Sequence, residues 1–216
     1  MKSGTWFLVG QQRLRRCPGL WRPDPVSTQR TSRHEDRDHW SLVESSKVFE
    51  ACGRLRVLRQ TVCLPDNRLV DDYYQIDLPS FASVYAVTED DRVLLLRQYK
   101  HGIGRVCLTL PGGQVDPGED AEFSARRELL EETGYGGGRW LAGPTLVLHG
   151  NQRIASAHIF VARHVIKLAD ANSGDLEDAT LIKLPREQVR QAALGGDLPV
   201  ISHVATVGVA EMLLAG

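Results

Sequence analysis

Gly113-Gln-Val-Asp-Pro-Gly-Glu119-Asp-Ala-Glu-Phe-Ser-Ala-Arg-Arg127-Glu128-Leu-Leu-Glu131-Glu132-Thr-Gly134-Tyr135 places four carboxylates, one arginine and two glycines at fixed intervals around one amphipathic run. From Asp120 to Thr133 the apolar residues Ala121, Ala125 and Leu129 recur at fours, with Phe123 and Leu130 beside them, which predicts a helix. Gly134 is its natural stop. Residues three and four apart share a helix face, so Glu128, Glu131 and Glu132 project together while Ala125 and Leu129 turn toward a core. Each like-charged i,i+4 pair costs a few tenths of a kcal/mol on a solvated helix, a penalty that a bound divalent cation reverses. Oxygen-only ligands on a rigid element suit Mg²⁺ or Mn²⁺. Gly112, Gly113 and Gly118 allow a sharp strand-to-helix turn and a close approach of backbone to an anion.

Working outward, strands are expected on both sides. Leu55–Leu64 and Leu69–Leu78 flank the turn residues Pro65-Asp-Asn-Arg68 and read as a hairpin. Phe81–Val87 and Arg92–Tyr99 follow, joined by the acidic turn Glu89-Asp-Asp91, and Val106–Leu110 ends at Pro111-Gly-Gly113. Beyond the helix, strands are expected at Thr145–His149, Ala157–Leu168 and Leu181–Leu184, then helices at Arg186–Leu194, closed by Gly195, and at Ile201–Leu214. Gly136-Gly-Gly138 reads as a flexible turn. This order predicts an α+β protein, an α/β/α sandwich around a mixed central sheet, with an N-terminal β-hairpin extension. The expected divisions are an irregular extension over 1–45, the hairpin region over 46–79 and the main domain over 80–216.

Composition bounds the function. With 216 residues and 42% hydrophobic content the chain can build its own core. Residues 1–34 carry seven Lys or Arg against Asp24 alone, so the net charge of −1 leaves the rest of the chain at −7. A mildly acidic folded part argues against a nucleic-acid partner. Residues 1–45 mix Arg, Pro, Ser, Thr and His without period and read as disordered; a transit-peptide-like composition and an upstream start are the other readings. No run approaches a membrane span, and Trp6-Phe-Leu-Val9 is too short for a secretory signal. Cys17, Cys52, Cys63 and Cys107 lie far apart with no Cys-x-x-Cys pair, so neither a zinc site nor a disulfide framework is expected, and a cytoplasmic, reducing setting fits. The seven histidines show no metal-ligand spacing, and His149, His158, His164 and His203 read as core or edge residues.

The quoted stretch resembles the Nudix box in every fixed position, Gly113, Glu119, Arg127, Glu128, Glu131, Glu132 and Gly134; only Tyr135 departs, being aromatic where an aliphatic residue is usual. At about 5–7% background usage per residue type, seven such matches arise by chance on the order of once in a million chains of this size. The resemblance implies a Mg²⁺- or Mn²⁺-dependent hydrolase of pyrophosphate bonds. In it Glu128 and Glu132 are direct metal ligands, Glu131 supports them or a second ion, Gly112 offers its carbonyl oxygen, and Arg127 pairs with Glu119 or Glu131.

Leu96-Arg97-Gln98-Tyr99-Lys100 and Leu110-Pro-Gly-Gly113 look like the Arg-Gln-Tyr-Arg and Leu-Pro-Ala-Gly stretches of the family's ADP-ribose and NDP-sugar pyrophosphatase branch. This implies a small nucleoside diphosphate substrate touched by Arg97, Tyr99 and Gly113. A solvated strand face for Arg97 and a core position for Tyr99 is the other reading. The branch commonly uses its N-terminal strands to build a homodimer, and an acidic residue in a late loop as base. Here that loop is Asn172-Ser-Gly-Asp175-Leu-Glu177-Asp178, with Glu177 first and Asp178 and Asp175 behind it. Two departures bear on substrate: Gly150-Asn-Gln152 stands where ADP-ribose hydrolases of the family tend to carry a proline, and position 112 is Gly rather than Ala. GDP-mannose, an ordinary or oxidised nucleoside triphosphate, and a non-catalytic nucleotide-sensing module are the alternatives.

Overall fold

The computed structural model describes residues 39–51, 54–172, 174 and 178–215, and the chain divides into two compact units at Asp77 and Leu78. The first unit is an antiparallel meander of β1 Ser41–Ala51, β2 Leu55–Cys63 and β3 Leu69–Asp77. The expected hairpin is its second half. Its turn closes through Asn67 N–H on Leu64 O (2.9 Å) and Leu64 N–H on Arg68 O (2.8 Å), with Asn67 at φ 64°, a conformation that Asn tolerates. β1 begins at Ser41, inside the segment expected to be irregular up to residue 45. That stretch is mixed in polarity and nearly all exposed, and it is a strand because β2 supplies a partner from Cys63 back to Leu55. Residues 1–38 lie outside the described residues. Cys63 is disulfide-bonded while Cys107 is a free, buried thiol, which departs from the expectation of unlinked cysteines.

The second unit runs β4 Phe81–Thr88, β5 Arg92–Lys100, β6 Arg105–Thr109, α1 Ala121–Thr133, β7 Tyr135–Gly136, β8 Arg139–His149, β9 Arg153–Lys167, β10 Thr180–Pro185, α2 Arg186–Gly195 and α3 Ile201–Ala215. β4 is the hinge of the sheet, parallel to β9 on one side and antiparallel to β5 on the other, so the sheet is mixed as expected. β10 and β6 pair with β5, and β7 and β8 pair with β9.

Alternation along β4 and β5 builds the three layers. Ala82, Val84, Ala86 and Leu94 pack with Ala125 and Leu129 under α1, whereas Tyr85, Val87, Val93 and Leu95 pack with Val189, Val207 and Ala210 under α2 and α3. Both faces being covered, the strands read as continuous apolar runs such as Val93-Leu-Leu-Leu96. Each fully buried Leu or Val contributes about 1.5–3 kcal/mol of transfer free energy. This is the expected α/β/α sandwich.

Local details differ from the expectations. Phe123 of α1 is 61% exposed; the buried face carries Ser124, Ala125, Leu129 and Thr133 instead, a narrower stripe than the apolar residues suggest. β8 starts at Arg139 rather than Thr145, because Gly143-Pro144 sits at a register shift between Ala142 and Thr145, where a strand paired on one side accommodates a proline. α2 is capped by Gly196 at φ 82°, one residue beyond the expected Gly195. Of the Gly136–Gly138 turn, Gly136 joins the short strand β7, and Gly137 and Gly138 both take φ 70°. No helix among the described residues is long and apolar enough to cross a membrane.

Candidate active site

The loop from Pro111 to Glu119 is sewn to the start of β4 before it enters α1. Ala82 N–H donates to Gly113 O and Val84 N–H to Pro111 O, both at 2.9 Å, and Val115 N–H donates to Ser80 O at 2.9 Å. Gly112 has no room for a side chain: at φ 146° an added Cβ would lie 2.1 Å from Ala82 O. Asp120 then caps α1, its carboxylate accepting from Glu122 N (3.0 Å) and Phe123 N (3.1 Å). Gly134, at φ 74°, ends the helix through its N–H on Leu130 O.

That framing brings the acidic residues of α1 against the glycines. Glu132 Oε2 accepts from Gly112 N–H at 2.7 Å. The Glu128 carboxyl lies over Gly113 so closely that an added Cβ would sit 2.4 Å from its carboxyl carbon. Arg127 is the hub. Its guanidinium forks onto Glu119 (3.0 and 3.2 Å) and its Nη1 also reaches Glu128 Oε1 (2.8 Å) and Glu131 Oε2 (3.0 Å). The arginine therefore pairs with both expected partners and with Glu128 as well. Hydrogen bonding from Arg127, then from the Asp116 N–H, pulls the Glu119 carboxyl down to about 2, so it is anionic throughout the physiological range. The same contacts, Glu119 foremost, raise Arg127 further above its ordinary value. Of the three carboxylates that pair with Arg127, Glu131 is the most open at 42% side-chain exposure.

Among the described residues no three His, Cys, Asp or Glu side chains converge as a ready-made metal cage. The donors nonetheless suit a hard divalent cation of the Mg²⁺ type, which is held by one or two carboxylates plus substrate oxygens. Glu128 and Glu132 supply carboxylate oxygens only, and Gly113 leaves the space beside the Glu128 carboxyl that a Cβ would fill. The engaged atom of Gly112 is its N–H; the expectation for its carbonyl oxygen is separate and untouched by that bond.

Other expected residues fall elsewhere. Arg97 and Tyr99 are exposed, Tyr99 at 42%, with its ring 6.3 Å from that of His101. Tyr99 is thus not in the core. By alternation both stand on the face of β5 that carries Val93 and Leu95 toward α2 and α3, whereas Leu94 of the same strand packs under α1. Glu177 and Asp175 lie outside the described residues, and Asp178 is exposed. The loop that carries them starts at the C-terminal end of α1: Leu168 and Ala169 N–H donate to Gly134 O, and Asn172 N–H to Glu131 O at 2.7 Å. Tyr135, the off-pattern residue, is buried beneath α1 with its hydroxyl bonded by Lys183. Ser124, which donates to Gln114 O at 3.2 Å, and His203, which accepts from Leu110 N–H, tie the loop down and carry no sequence signal that separates them from ordinary helix residues.

The NUDIX domain model matches residues 79–197, more than half of the chain, and the chain belongs to the Nudix family. Within it the chain resembles the ADP-ribose and ADP-sugar pyrophosphatases. It is 37% identical over 57 residues to the ADP-ribose pyrophosphatase of Bacillus subtilis (strain 168), covering 26% of this chain and 31% of that protein. It is 32% identical over 129 residues to the ADP-sugar pyrophosphatase of Mus musculus, covering 55% and 58%. The chain thus spans between about a third and three fifths of those relatives. A crystal structure of an ADP compounds hydrolase superposes with a TM-score of 0.70 at 19% identity, over 82% of this chain and 95% of that one, which agrees in fold.

Proposed function

We propose that this chain is a divalent-cation-dependent hydrolase that splits the pyrophosphate bond of a nucleoside diphosphate sugar, ADP-ribose or a close relative, into a nucleoside monophosphate and a sugar phosphate. The observation that carries this reading is the convergence of Glu128 and Glu132 on the Gly112–Gly113 backbone, with Arg127 joining Glu128, Glu131 and Glu119. The relatives named for ADP-ribose and ADP-sugars support the substrate class.

Glu128 and Glu132, with Glu131 beside them, would hold Mg²⁺ or Mn²⁺. Such an ion supplies charge neutralisation on phosphate oxygens and makes water more acidic. The chain does the rest. Arg127 neutralises and spaces the carboxylates, so that they are aimed without the mutual repulsion of a bare cluster. Glu119 holds Arg127 by two bonds, which fixes the loop on the helix. The side-chain-free backbone at Gly113 admits a phosphate close to the carboxylates. For the base that takes the proton from the attacking water we propose Glu177; its loop is anchored at Asn172 on the last turn of α1, beside Glu131. The exposed apolar residues Leu42, Val43, Val48 and Phe49 of β1 support a homodimer through the N-terminal strands.

The test is a panel of ADP-ribose, other ADP-sugars, GDP-mannose and nucleoside triphosphates with Mg²⁺ or Mn²⁺, both products being identified. Release of AMP and ribose phosphate ahead of all other products is expected. Preferential release of pyrophosphate from triphosphates would replace the substrate class, and tight nucleotide binding without turnover of any compound would make the chain a binding module.

A further inference from the structure

The last helix holds the glycine loop from the side opposite α1. Leu110, immediately before Pro111-Gly112-Gly113, is 2% exposed and lies one residue past the last β5–β6 pair, Leu96 with Thr109. Its N–H donates to Nδ1 of His203 on α3 at 3.2 Å. One turn along the helix, the buried Thr206 hydroxyl meets the Ser83 hydroxyl at 3.0 Å. Ser83 stands between Ala82 and Val84, the two residues of β4 whose N–H groups hold Gly113 O and Pro111 O. α3 therefore fixes both the strand to which the loop is sewn and the residue from which it springs.

We propose that His203 is a positioning residue: by accepting the Leu110 N–H it sets the height of the Gly112–Gly113 backbone against Glu132 and Glu128. It touches neither carboxylate and acts through the loop. A buried N–H must find an acceptor, and Pro111 offers no N–H with which to redirect the chain locally, so the acceptor on α3 decides where the turn begins. The bond requires an unprotonated Nδ1, hence hydrogen on Nε2. Burial first, and the charge of Lys100 second, pull the imidazole down to about 4, so the ring stays an acceptor through the neutral range. What the displacement does to catalysis rests on the function proposed above; the hydrogen bond's hold on the loop does not.

Three variants of the full chain separate positioning from packing. His203→Leu removes the acceptor, His203→Asn returns one at the reach of Nδ1, and His203→Gln keeps size and polarity but moves the acceptor one bond outward. The readouts are amide hydrogen exchange over residues 106–115, melting temperature, and kcat, KM and Mg²⁺ dependence with ADP-ribose. His203→Leu and His203→Gln are expected to speed exchange about tenfold at Leu110 and Gly112, lower kcat about tenfold with KM within about twofold, and raise the half-saturating Mg²⁺ concentration. His203→Asn is expected to recover wild-type values within about threefold. Unchanged exchange, kcat and Mg²⁺ dependence beside a lowered melting temperature, or an Asn variant no better than Gln, would overturn the proposal. Should wild type cleave no diphosphate sugar, the functional reading fails alone, and the exchange pattern together with Mg²⁺ titration of the variants still decides the role of His203.

Discussion

A Cβ added to Gly113 would collide with the Glu128 carboxyl, the end of a side chain, whereas one added to Gly112 would collide with the Ala82 carbonyl, part of the sheet. The two substitutions should therefore separate activity from stability. Gly113→Ala is expected to lower turnover of a diphosphate sugar by about a hundredfold while costing under about 1 kcal/mol, and Gly112→Ala to cost about 2–4 kcal/mol in urea unfolding. Equal stability losses would contradict the placement of Glu128. Glu119 gives a test by pH. Its folded-state value, near 2, lies below the ordinary 4.5, so its stabilising effect is complete above about 4.5 and is lost as pH falls toward 2. Glu119→Gln should flatten the fall in urea midpoint between pH 5 and 2, and an unaltered slope would show that its ion pair with Arg127 does not form.

Among elements, α1 is the one most legible in the sequence, because its cap, its stop and its paired glutamates all obey local rules. Asp120→Ala is expected to cost about 1 kcal/mol, measured by thermal unfolding, since two N–H groups lose their acceptor. The parts that were not legible depend on partners distant in the chain. β1 is an exposed stretch of mixed polarity that exists as a strand through β2, and the first half of β8 holds Gly143-Pro144 yet pairs with β9 on either side of them. Arg97 and Tyr99 are exposed positions of β5, on the alternation that carries Val93 and Leu95, and their part in substrate binding is not encoded by that alternation. Arg127's bond to Glu128 was missed for a simpler reason: neighbours at i,i+1 do not usually face each other on a helix.

At the scale of the whole second unit, β4 joins the two layers. Ala82, Val84 and Ala86 lie under α1, while Tyr85 on the other face sends its hydroxyl to Glu211 Oε1 at 2.7 Å. Glu211 in turn accepts from Arg186 (2.8 Å) and Arg190 (2.9 Å), which ties α2, α3 and the sheet together. Burial raises the Tyr85 hydroxyl above its ordinary value, so the network keeps it protonated. Tyr85→Phe should cost about 1 kcal/mol, seen as a lower melting temperature, and leave diphosphate turnover intact because the bonds of this network run among Tyr85, Glu211, Arg186 and Arg190 and include neither the loop nor the α1 carboxylates. A loss of turnover without loss of stability would show that this network acts on the loop in addition to His203. The sandwich itself was readable from the order of strands and helices; the pairing of β9 parallel to β4, which places α1 on one face and α2 and α3 on the other, is a long-range choice that periodicity does not encode.

The most direct measurement follows ADP-ribose by phosphorus NMR with wild type and with Glu128→Gln, each with and without Mg²⁺, after both proteins are shown to melt alike. The two diphosphate signals should give way to two monophosphate signals for wild type with Mg²⁺ alone, and Glu128→Gln should be slower by at least about a hundredfold. Cleavage at the same rate by Glu128→Gln, or by wild type stripped of divalent ions, would place the chemistry away from the Glu128–Gly113 corner.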